Sequence, residues 1–430
     1  MSQRWRDIVA HEFHDLAVRL PAMAAAAPVT LCGMSACVDA RVDMRRAEPL
    51  FSAAHPEEAA DFAGLLLDRA TRGVGGEVRV VWTDGPRWLT ERLDISYALG
   101  GVGPQAGWVL STLGAPALVC LEDRSAHMLA QLPPGLLVAE GGEAVPAGEL
   151  KPAREPRPDI FIFEYTAGAP AGAVIPQRSS RIIVRFNDPG LEHDAEFEQL
   201  SCRLAAEAGA GLVAGFNCVP REELEAEIER VFGLTRRWRA AGLATIHLEM
   251  SGFAEPTARD RVLEAARGAV TSVGMSQSEF LELGLAGGGE DELTAAMTTL
   301  AGRLELDRLC VHADQWAVTA TRGDPHREYQ ALMAGCLLAS ARAAAGRPVI
   351  PRGVPEGALL DPPPFAPRTS LGAWTIVACP APYLQRPATT LGLGDTFTAG
   401  CLLVLGSTSP GQAAATPPSA TAEDDRAPLC

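Results

Sequence analysis

Short apolar segments alternate with amphipathic stretches along most of this chain, and this alternation limits its fold more than any other feature. Segments with the composition of buried strands lie at 29–32, 117–121, 244–248, 269–273, 308–311 and 374–379. Helical spacing lies between or after them, at 222–241, 257–267, 277–284, 290–304, 326–345 and about 395–405. Strands that alternate with helices predict an α/β protein with a mostly parallel, doubly wound sheet.

Three further strand-like segments, at 78–82, 160–164 and 181–185, interrupt this rhythm and predict a separate small sheet. A glycine loop at 100–104 is expected to open a helix at 105–113, and the Gly/Pro/Glu-rich segment 141–158 is expected to be a linker or surface loop. The 430 residues suffice for a large α/β domain with a smaller one. We expect the folded region to comprise residues 1–406, followed by a disordered Pro/Ala/Ser-rich tail at 407–430.

The basic residues exclude one large class of nucleotide enzymes. Lysine occurs once, as Lys151, among 37 lysine and arginine residues. A P-loop needs a Gly-Lys-Ser/Thr triplet, and the sequence contains none. Cationic contacts to phosphate must therefore come almost entirely from arginine, whose planar fork binds phosphate oxygens in pairs.

Charge, cysteine content and hydropathy exclude further classes. The formal net charge of −16 disfavours a nonspecific grip on nucleic acid. The ten cysteines are scattered without a CxxC pair, which disfavours a zinc site or a disulfide framework. No segment has the length and polarity of a membrane span, and the first residues lack an apolar signal core. We expect a cytoplasmic monomer or small homo-oligomer whose partners are small molecules, without nucleic acid or membrane.

The most informative motif is Leu391-Gly-Leu-Gly-Asp395-Thr, between a predicted strand and a predicted apolar helix. Its glycines permit close approach of a ligand, and a helix that begins there directs unpaired N–H groups at one point. Such an anion hole stabilises charge on a transferring phosphoryl group, and a carboxylate beside it can take the proton of an attacking hydroxyl. The alternative is structural: Asp395 would be an N-cap that stabilises the helix by about 1 kcal/mol.

The motif and the small apolar helix after it resemble the C-terminal signature of the ribokinase superfamily. Other stretches occur in a matching order between about residues 31 and 403: Gly33-Met-Ser-Ala-Cys-Val-Asp39, Gly100-Gly101 with Gln105-Ala-Gly107, Phe163-Glu-Tyr-Thr-Ala-Gly168, His247-Leu-Glu249 and Ser272-Val-Gly-Met-Ser-Gln-Ser-Glu279. Within the superfamily, this ordered set is most similar to the ADP-dependent glucokinase and phosphofructokinase family.

The resemblance implies a ribokinase-like, doubly wound domain with a small β-sheet lid formed approximately by 38–98 and 155–186. It implies phosphoryl transfer from ADP to a hydroxyl of a hexose or hexose phosphate, namely glucose or fructose 6-phosphate. Asp395 would be the catalytic base. The anion hole would be formed by Gly392, Leu393 and Gly394.

The resemblance also assigns substrate and metal residues. Glu249 and Glu279 would position Mg²⁺, mostly through water molecules. The residues implied to bind substrate are Asp39, Gly100, Gly101, Glu164, Arg181 and Asn217. From the residues alone, Arg181 could equally lie on a solvated strand face, and Asn217 could equally belong to a turn.

Two other functions stay open from the sequence. One is an ATP-dependent ribokinase-type kinase that acts on another polyol or a nucleoside. The other is a non-catalytic sugar-binding relative, which is favoured by Ser35, Ser180 and Ser276, where the family usually has Asn. The intact Gly-Leu-Gly-Asp loop argues against a non-catalytic role.

Overall fold

The computed structural model of the chain describes residues 3–187, 190–285 and 289–407. The predicted disordered tail therefore lies, apart from its first residue, outside the described residues. Among the helices of the described ranges, none combines the length and apolar character needed to cross a membrane.

Within these ranges the backbone forms sixteen strands, most of them short and buried. In chain order they are β1 Thr30–Cys32, β2 Cys37–Asp43, β3 Gly76–Arg79, β4 Ser96–Gly100, β5 Ala117–Val119, β6 Leu137–Glu140, β7 Glu143–Pro146, β8 Ile160–Tyr165, β9 Ser180–Arg185, β10 Ala210–Val213, β11 Ile246–Glu249, β12 Ser272–Ser276, β13 Arg308–His312, β14 Trp316–Thr321, β15 Arg368–Leu371 and β16 Trp374–Pro380.

The described residues also form thirteen α-helices, joined to the strands mostly by short loops. In chain order they are α1 Gln3–Ala25, α2 Glu48–Phe51, α3 Glu57–Arg72, α4 Gly85–Arg92, α5 Val102–Leu113, α6 Ala126–Leu129, α7 Ala195–Leu204, α8 Leu224–Ala240, α9 Pro256–Ala266, α10 Gln277–Glu282, α11 Glu290–Arg303, α12 Pro325–Ala345 and α13 Leu393–Gly406.

The large sheet contains eleven of the described strands, in the order β15-β16-β14-β13-β12-β11-β10-β1-β5-β6-β7. Its central seven strands, from β13 to β6, are parallel. Antiparallel strands complete both edges. The central strands are buried because helices cover both faces, as parallel sheets require. The predicted α/β, doubly wound fold is confirmed.

Two hydrophobic cores lie on the two faces of the large sheet. One contains Phe197 and Trp238 from α7 and α8. The other contains Phe13, Leu337 and Leu402 from α1, α12 and α13. Each core receives the apolar faces of helices that pack on one side of the sheet, so the sheet is covered on both sides.

Helices α12 and α13 approach each other so closely that two glycines are required. A Cβ on Gly400 would lie 2.7 Å from the backbone N of Gly335, and a Cβ on Gly335 would lie 2.6 Å from the carbonyl oxygen of Phe397. Real Cβ atoms do not approach other heavy atoms so closely, because of steric repulsion. The pair of glycines therefore fixes where α13 lies along α12.

The small sheet contains five described strands, in the order β3-β9-β8-β2-β4, from the parts of the chain where a second sheet was predicted. One face packs against α3 and α4 through a core that includes Phe62 and Phe163. The opposite face carries Ile160 and Ile162, which contact Leu391 of the large domain. Since side chains alternate along β8, Glu164 lies on this same face.

Two segments differ from their predicted conformations. The expected linker at 141–158 contains β7, because Gly141 and Gly142 adopt positive φ angles and close a tight hairpin between β6 and β7. The predicted strand at 78–82 does not extend to Trp82, and Gly85 and Pro86 begin α4, since Pro86 is compatible with the first turn of a helix. Strand β3 accordingly ends at Arg79.

A buried ion pair attaches α12 to the large sheet. Arg308 of β13 is 6% exposed and Glu328 of α12 is 2% exposed. The guanidinium donates from Nε to Glu328 Oε1 at 2.9 Å, and the Thr319 hydroxyl donates to the same oxygen at 3.0 Å. Both charges are removed from water, so each depends on the other for compensation.

Replacing Glu328 alone should therefore be strongly destabilising. We expect Glu328→Ala to lower the free energy of unfolding in urea by about 3–5 kcal/mol, because it leaves the Arg308 cation buried without its carboxylate. The double variant with Arg308→Met and Glu328→Leu should lower the free energy of unfolding by less than Glu328→Ala does, since it leaves no buried charge.

A surface ion pair provides the control. Glu225 and Arg261 are paired at 2.7 Å with both side chains substantially exposed. Glu225→Ala should lower the free energy of unfolding by less than about 1 kcal/mol. Equal losses in Glu225→Ala and Glu328→Ala would contradict the importance assigned to the buried pair.

Candidate active site

The carboxyl ends of the parallel strands β1, β10, β11 and β13 meet at one edge of the large sheet, and the small sheet covers that edge. Open α/β sheets bind ligands at this position, where the loops after the strands form a crevice. Glu249 ends β11, His312 ends β13, and β2 with Asp39 follows β1. The amino end of α13 lies at the same edge, with Gly394 next to His312.

The turn at 391–395 presents free backbone N–H groups to the crevice. Gly392 is the N-cap of α13 and has φ +66°, a left-handed conformation that glycine adopts without steric cost. The first intrahelical bond runs from Thr396 N to Gly392 O at 3.0 Å. The amides of Leu393, Gly394 and Asp395 therefore have no acceptor within the helix. Residues 393–395 thus carry the free amides that the predicted anion hole at 392–394 requires.

Asp395 is not the N-cap of α13. It lies three residues after the N-cap, which is Gly392. Among the described residues, no hydrogen-bond donor is recorded for its partly buried carboxylate. The carboxylate is thus left available beside the open amides. The structural alternative for the motif, an N-cap aspartate, does not describe this chain.

Charged groups on four elements act on Asp395. Burial raises its pKa, and the guanidinium of Arg342 on α12 gives the largest opposing effect. Arg181 on β9 and His312 on β13 also lower the pKa, whereas Glu249 on β11 raises it. The carboxylate therefore binds a proton more readily than an exposed aspartate does.

Asp39 lies in the same crevice. It is 5% exposed, and burial raises its pKa to about 7, with a further contribution from the negative charge of Asp395. Its recorded side-chain donor is the weak thiol of Cys37, at 3.6 Å. Gly100 lies directly against it, because a Cβ there would be 2.7 Å from the Asp39 Cγ and 2.6 Å from the Cys37 Sγ. Asp39 and Gly100 are brought together as predicted.

Gly101 follows as the N-cap of α5, with φ +84°. The hydroxyl of Ser35 accepts a hydrogen bond from the next backbone N–H, that of Val102, at 3.3 Å. Ser35 therefore caps the helix after the glycine turn. In the same way, Ser276 is the N-cap of α10. Two of the three serines at family asparagine positions thus make local structural contacts.

A second charged cluster adjoins Asp39. It includes Glu77, which sequence reasoning did not assign, and Arg185, which the sequence groups with Arg178 and Arg181 around one strand as candidate phosphate contacts. Glu77 of β3 accepts hydrogen bonds from Asn217 Nδ2 at 2.9 Å and from Arg185 Nε at 2.8 Å. The positive charge of Arg185 acts on Asp39 and lowers its pKa. Arg185 shares a face of β9 with Arg181 and Ile183, so strand alternation was a signal that could have linked Arg185 to the crevice.

Glu164 connects the small sheet to the loop before α13. Its Oε2 accepts from Arg41 Nη2 at 2.6 Å, and its Oε1 accepts from the Thr389 hydroxyl at 3.2 Å and from Thr390 N at 3.3 Å. Predicted as a substrate ligand, Glu164 is occupied by these contacts, and together with the packing of Leu391 it holds the two parts of the molecule together. Arg178 adds a peripheral ion pair to Asp314 at 2.8 Å.

Glu249 is the centre of a buried hydrogen-bond network. His247 Nε2 and Glu249 Oε2 are 2.8 Å apart, the Thr398 hydroxyl donates to Oε2 at 3.0 Å, and His312 Nε2 is 3.2 Å from Oε1. Burial raises the pKa of Glu249, but the hydrogen bonds from the two histidines outweigh it and hold the pKa at about 2. Glu249 is thus a buried anion with both oxygens engaged.

Glu279 forms a capping box at the start of α10. Its carboxylate accepts from Ser276 N at 2.7 Å, and its own N–H donates to the Ser276 hydroxyl at 3.3 Å. Burial raises its pKa, and Glu249 is among the charges that act on it. Within the described ranges no group of three or more His, Cys, Asp or Glu side chains could hold a metal ion. These residues fit a metal ion held through water molecules and a ligand, and do not fit one held by protein ligands alone.

Arg342 is the site residue that sequence reasoning missed entirely. It lies in the last turn of the long, largely buried helix α12 and is only 3% exposed. Its Nη1 donates to the Thr396 hydroxyl at 3.0 Å, and its guanidinium lies against Gly392. An arginine among apolar and alanine residues of a buried helix was the only sequence signal, and it did not reveal the partner.

Comparison with known proteins agrees with this geometry. Residues 29–358, more than half of the chain, match the family model described as the ADP-specific phosphofructokinase/glucokinase conserved region. No curated protein sequence matches the chain.

Several solved structures share the fold. An ADP-dependent kinase in complex with fructose-6-phosphate and ADPβS has a TM-score of 0.75 at 17% identity, over 94% of this chain and 99% of that chain. A hypothetical ADP-dependent phosphofructokinase from Pyrococcus horikoshii OT3 has a TM-score of 0.68 at 19% identity, over 89% and 98% of the two chains. A structure described as the last common ancestor of ADP-dependent phosphofructokinases from Methanosarcinales has a TM-score of 0.69 at 17% identity, over 93% and 98%. The family predicted from the ordered motifs is confirmed: this chain belongs to the ADP-specific phosphofructokinase/glucokinase family.

Proposed function

We propose that this protein transfers a phosphoryl group from ADP to a hydroxyl of a hexose or hexose phosphate. The observation that carries the proposal is the position of Asp395. Its carboxylate lies beside the free backbone amides at the start of α13, in the same crevice as Asp39. Membership of the ADP-specific family supports ADP as the donor. The sugar phosphate and ADP analogue bound to the structural neighbour support the two substrate classes.

The residues of the crevice divide the reaction between them. Asp39, beside Gly100, accepts hydrogen bonds from sugar hydroxyls and turns one hydroxyl toward Asp395. As that oxygen attacks the β-phosphorus of ADP, its O–H bond breaks and the proton passes to Asp395. The bond between the β-phosphorus and the bridging oxygen breaks, and AMP leaves. The amides of 392–395 stabilise the charge on the transferred group.

Mg²⁺ would enter with the donor. Glu279 and Glu249 lie close enough to influence each other electrostatically, but their oxygens are largely engaged, so we propose that they orient waters around the ion. The chemistry that the ion supplies is neutralisation of the donor phosphate charge.

We propose that the small sheet, with the elements packed on it between residues 38–98 and 155–186, is a lid over the crevice. Its strand β9 brings Arg181 close enough to Asp395 to lower the pKa of that carboxyl. We assign Arg181 to a phosphate oxygen of the substrates, since its charge faces the transfer site. We propose that Asn217 supports the sugar site through Glu77, which pairs with Arg185, whose charge acts on Asp39. A closed lid excludes water, which limits hydrolysis of ADP.

The direct test is a donor and acceptor screen. Purified protein is incubated with ADP or ATP and a panel of glucose, fructose 6-phosphate, other polyols and nucleosides, with Mg²⁺ or with EDTA. We expect AMP and a phosphorylated hexose or hexose phosphate from ADP, in the presence of Mg²⁺ only. Product from ATP alone would favour the ATP-dependent alternative. A sugar-induced rise in melting temperature without product from any donor would favour a non-catalytic sugar-binding protein.

Asp395→Asn should remove the base without changing the shape of the site. We expect turnover to fall by at least about 1,000-fold, because a positioned general base contributes roughly this factor, whereas the affinity for ADP measured by calorimetry changes little. Asp361→Asn, at an exposed ion pair with Arg6, is the matched control and should keep full turnover. Near-normal turnover in purified Asp395→Asn would refute the base assignment.

Glu164→Gln tests the contact between lid and catalytic loop. The amide keeps the shape of the side chain but loses the charge-assisted bonds from Arg41, so we expect kcat/KM to fall about tenfold. Asp314→Asn removes an exposed lid contact and should change kcat/KM less than about twofold. If Glu164→Gln and wild type had equal kcat/KM values, the contact between Glu164 and the loop before α13 would not support the reaction.

A further inference from the structure

We propose that Arg342 is a positioning residue for the phosphoryl transfer: its buried guanidinium holds the Gly392 turn in the shape of an anion hole and places a fixed positive charge beneath it. The inference rests on the proposed function of Asp395 and its neighbouring amides, and it adds a residue from a different helix to that site.

A relay of two hydrogen bonds connects Arg342 to the turn. Arg342 Nη1 donates to the Thr396 hydroxyl at 3.0 Å, and that hydroxyl donates its single proton to the carbonyl oxygen of Gly392 at 2.6 Å. This carbonyl also accepts the first backbone bond of α13, from Thr396 N. The orientation of the peptide group that begins the helix is therefore fixed from α12.

Packing imposes the same geometry independently. A Cβ on Gly392 would lie 2.5 Å from the Arg342 Cζ and 2.7 Å from its Nη1, so the guanidinium occupies the space that a side chain would need. Gly392 also has φ +66°, which side chains disfavour. The turn thus depends on a glycine for its backbone conformation and for its contact with the arginine.

The positive charge of Arg342 does not favour folding when no anionic substrate is bound. Positive charge at the amino end of a helix opposes the helix dipole, and α13 begins at this guanidinium. Burial lowers the pKa of Arg342 to about 10. Among the described residues, its Nε has no hydrogen-bond partner. A cation that is buried, incompletely paired and set against a helix start is suited to an anion that arrives only with the substrate.

The charged groups that act on Arg342 come from three elements besides its own. Asp395 on α13 and Asp39 on β2 favour its charge, whereas Arg41 on β2 and Arg181 on β9 oppose it. In return, Arg342 has the largest effect among the groups that lower the pKa of Asp395, ahead of Arg181 and His312 and against Glu249. Loss of the guanidinium should therefore raise the pH at which the base becomes protonated.

The test uses the full chain with Arg342→Met, Arg342→Lys and Thr396→Val, and reads kcat, KM and the pH profile of kcat. We expect Arg342→Met to lower kcat about 100-fold, with KM for the sugar within about threefold, because the loss falls on the transition state. The acid limb of the profile should move to higher pH by about one unit. Below that limb the base is protonated and inactive.

The other variants separate charge from geometry. Arg342→Lys keeps the charge without the planar fork, so it should restore the acid limb but only part of kcat. Thr396→Val breaks the relay and keeps the charge, so it should lower kcat without moving the limb. Arg347→Met removes an exposed arginine just after the same helix and should match wild type in both readouts.

Three outcomes would overturn the proposal: Arg342→Met with kcat within about threefold of wild type, a lower kcat with an unmoved acid limb, or an Arg342→Lys variant no better than Arg342→Met. If Arg342→Met fails to fold, Thr396→Val and Arg342→Lys decide the matter. Failure of the proposed function is distinguishable, since wild type would then give no product from ADP or Asp395→Asn would stay active.

Discussion

The close contact between α12 and α13 determines where the chemistry of this protein takes place. Gly335 and Gly400 let the two helix backbones meet, and the Arg308–Glu328 ion pair attaches α12 to the large sheet. The amino end of α13 is thereby fixed at the edge where the parallel strands end. This packing determines the position of the free amides and of Asp395. The site is therefore built on rigid elements, although these residues lie at the first turn of a helix.

Most of the buried charged groups in the crevice have a hydrogen-bond or ion-pair partner of opposite charge or polarity. Two histidines surround Glu249, and Arg185 with Asn217 engages Glu77. Asp39 and Asp395 differ, because each lacks a strong recorded donor among the described residues while burial raises its pKa. A buried carboxyl group without a strong donor can accept a proton or a hydrogen bond from a hydroxyl, and a sugar supplies such hydroxyls. The cations near them are arginines, in keeping with a chain that has a single lysine.

The sequence predicted those parts of the structure that local pattern determines. The parallel strands, the position of α13 and the glycine turn were predictable because their residues are neighbours in the chain. Arg342 and Glu77 were not, because their roles depend on contacts between residues far apart in sequence. Glu164 was predicted to bind substrate because its strand was expected to enter the site. Its contacts with Thr389 and Thr390 were not predictable, because those residues lie more than two hundred positions away. β7 was missed because a glycine-rich segment predicts a loop and a tight hairpin equally well.

The small sheet does more than cover the crevice, because it contacts the loop just before Asp395. Leu391 packs on Ile160 and Ile162, and Thr389 and Thr390 donate to Glu164. A rotation of the small sheet away from the large one would withdraw an apolar contact and three hydrogen bonds from the residues just before Asp395. On the proposed function, the site would lose its catalytic geometry whenever the small sheet moves away to exchange substrate and product, and hydrolysis of ADP by water would be limited in that open state.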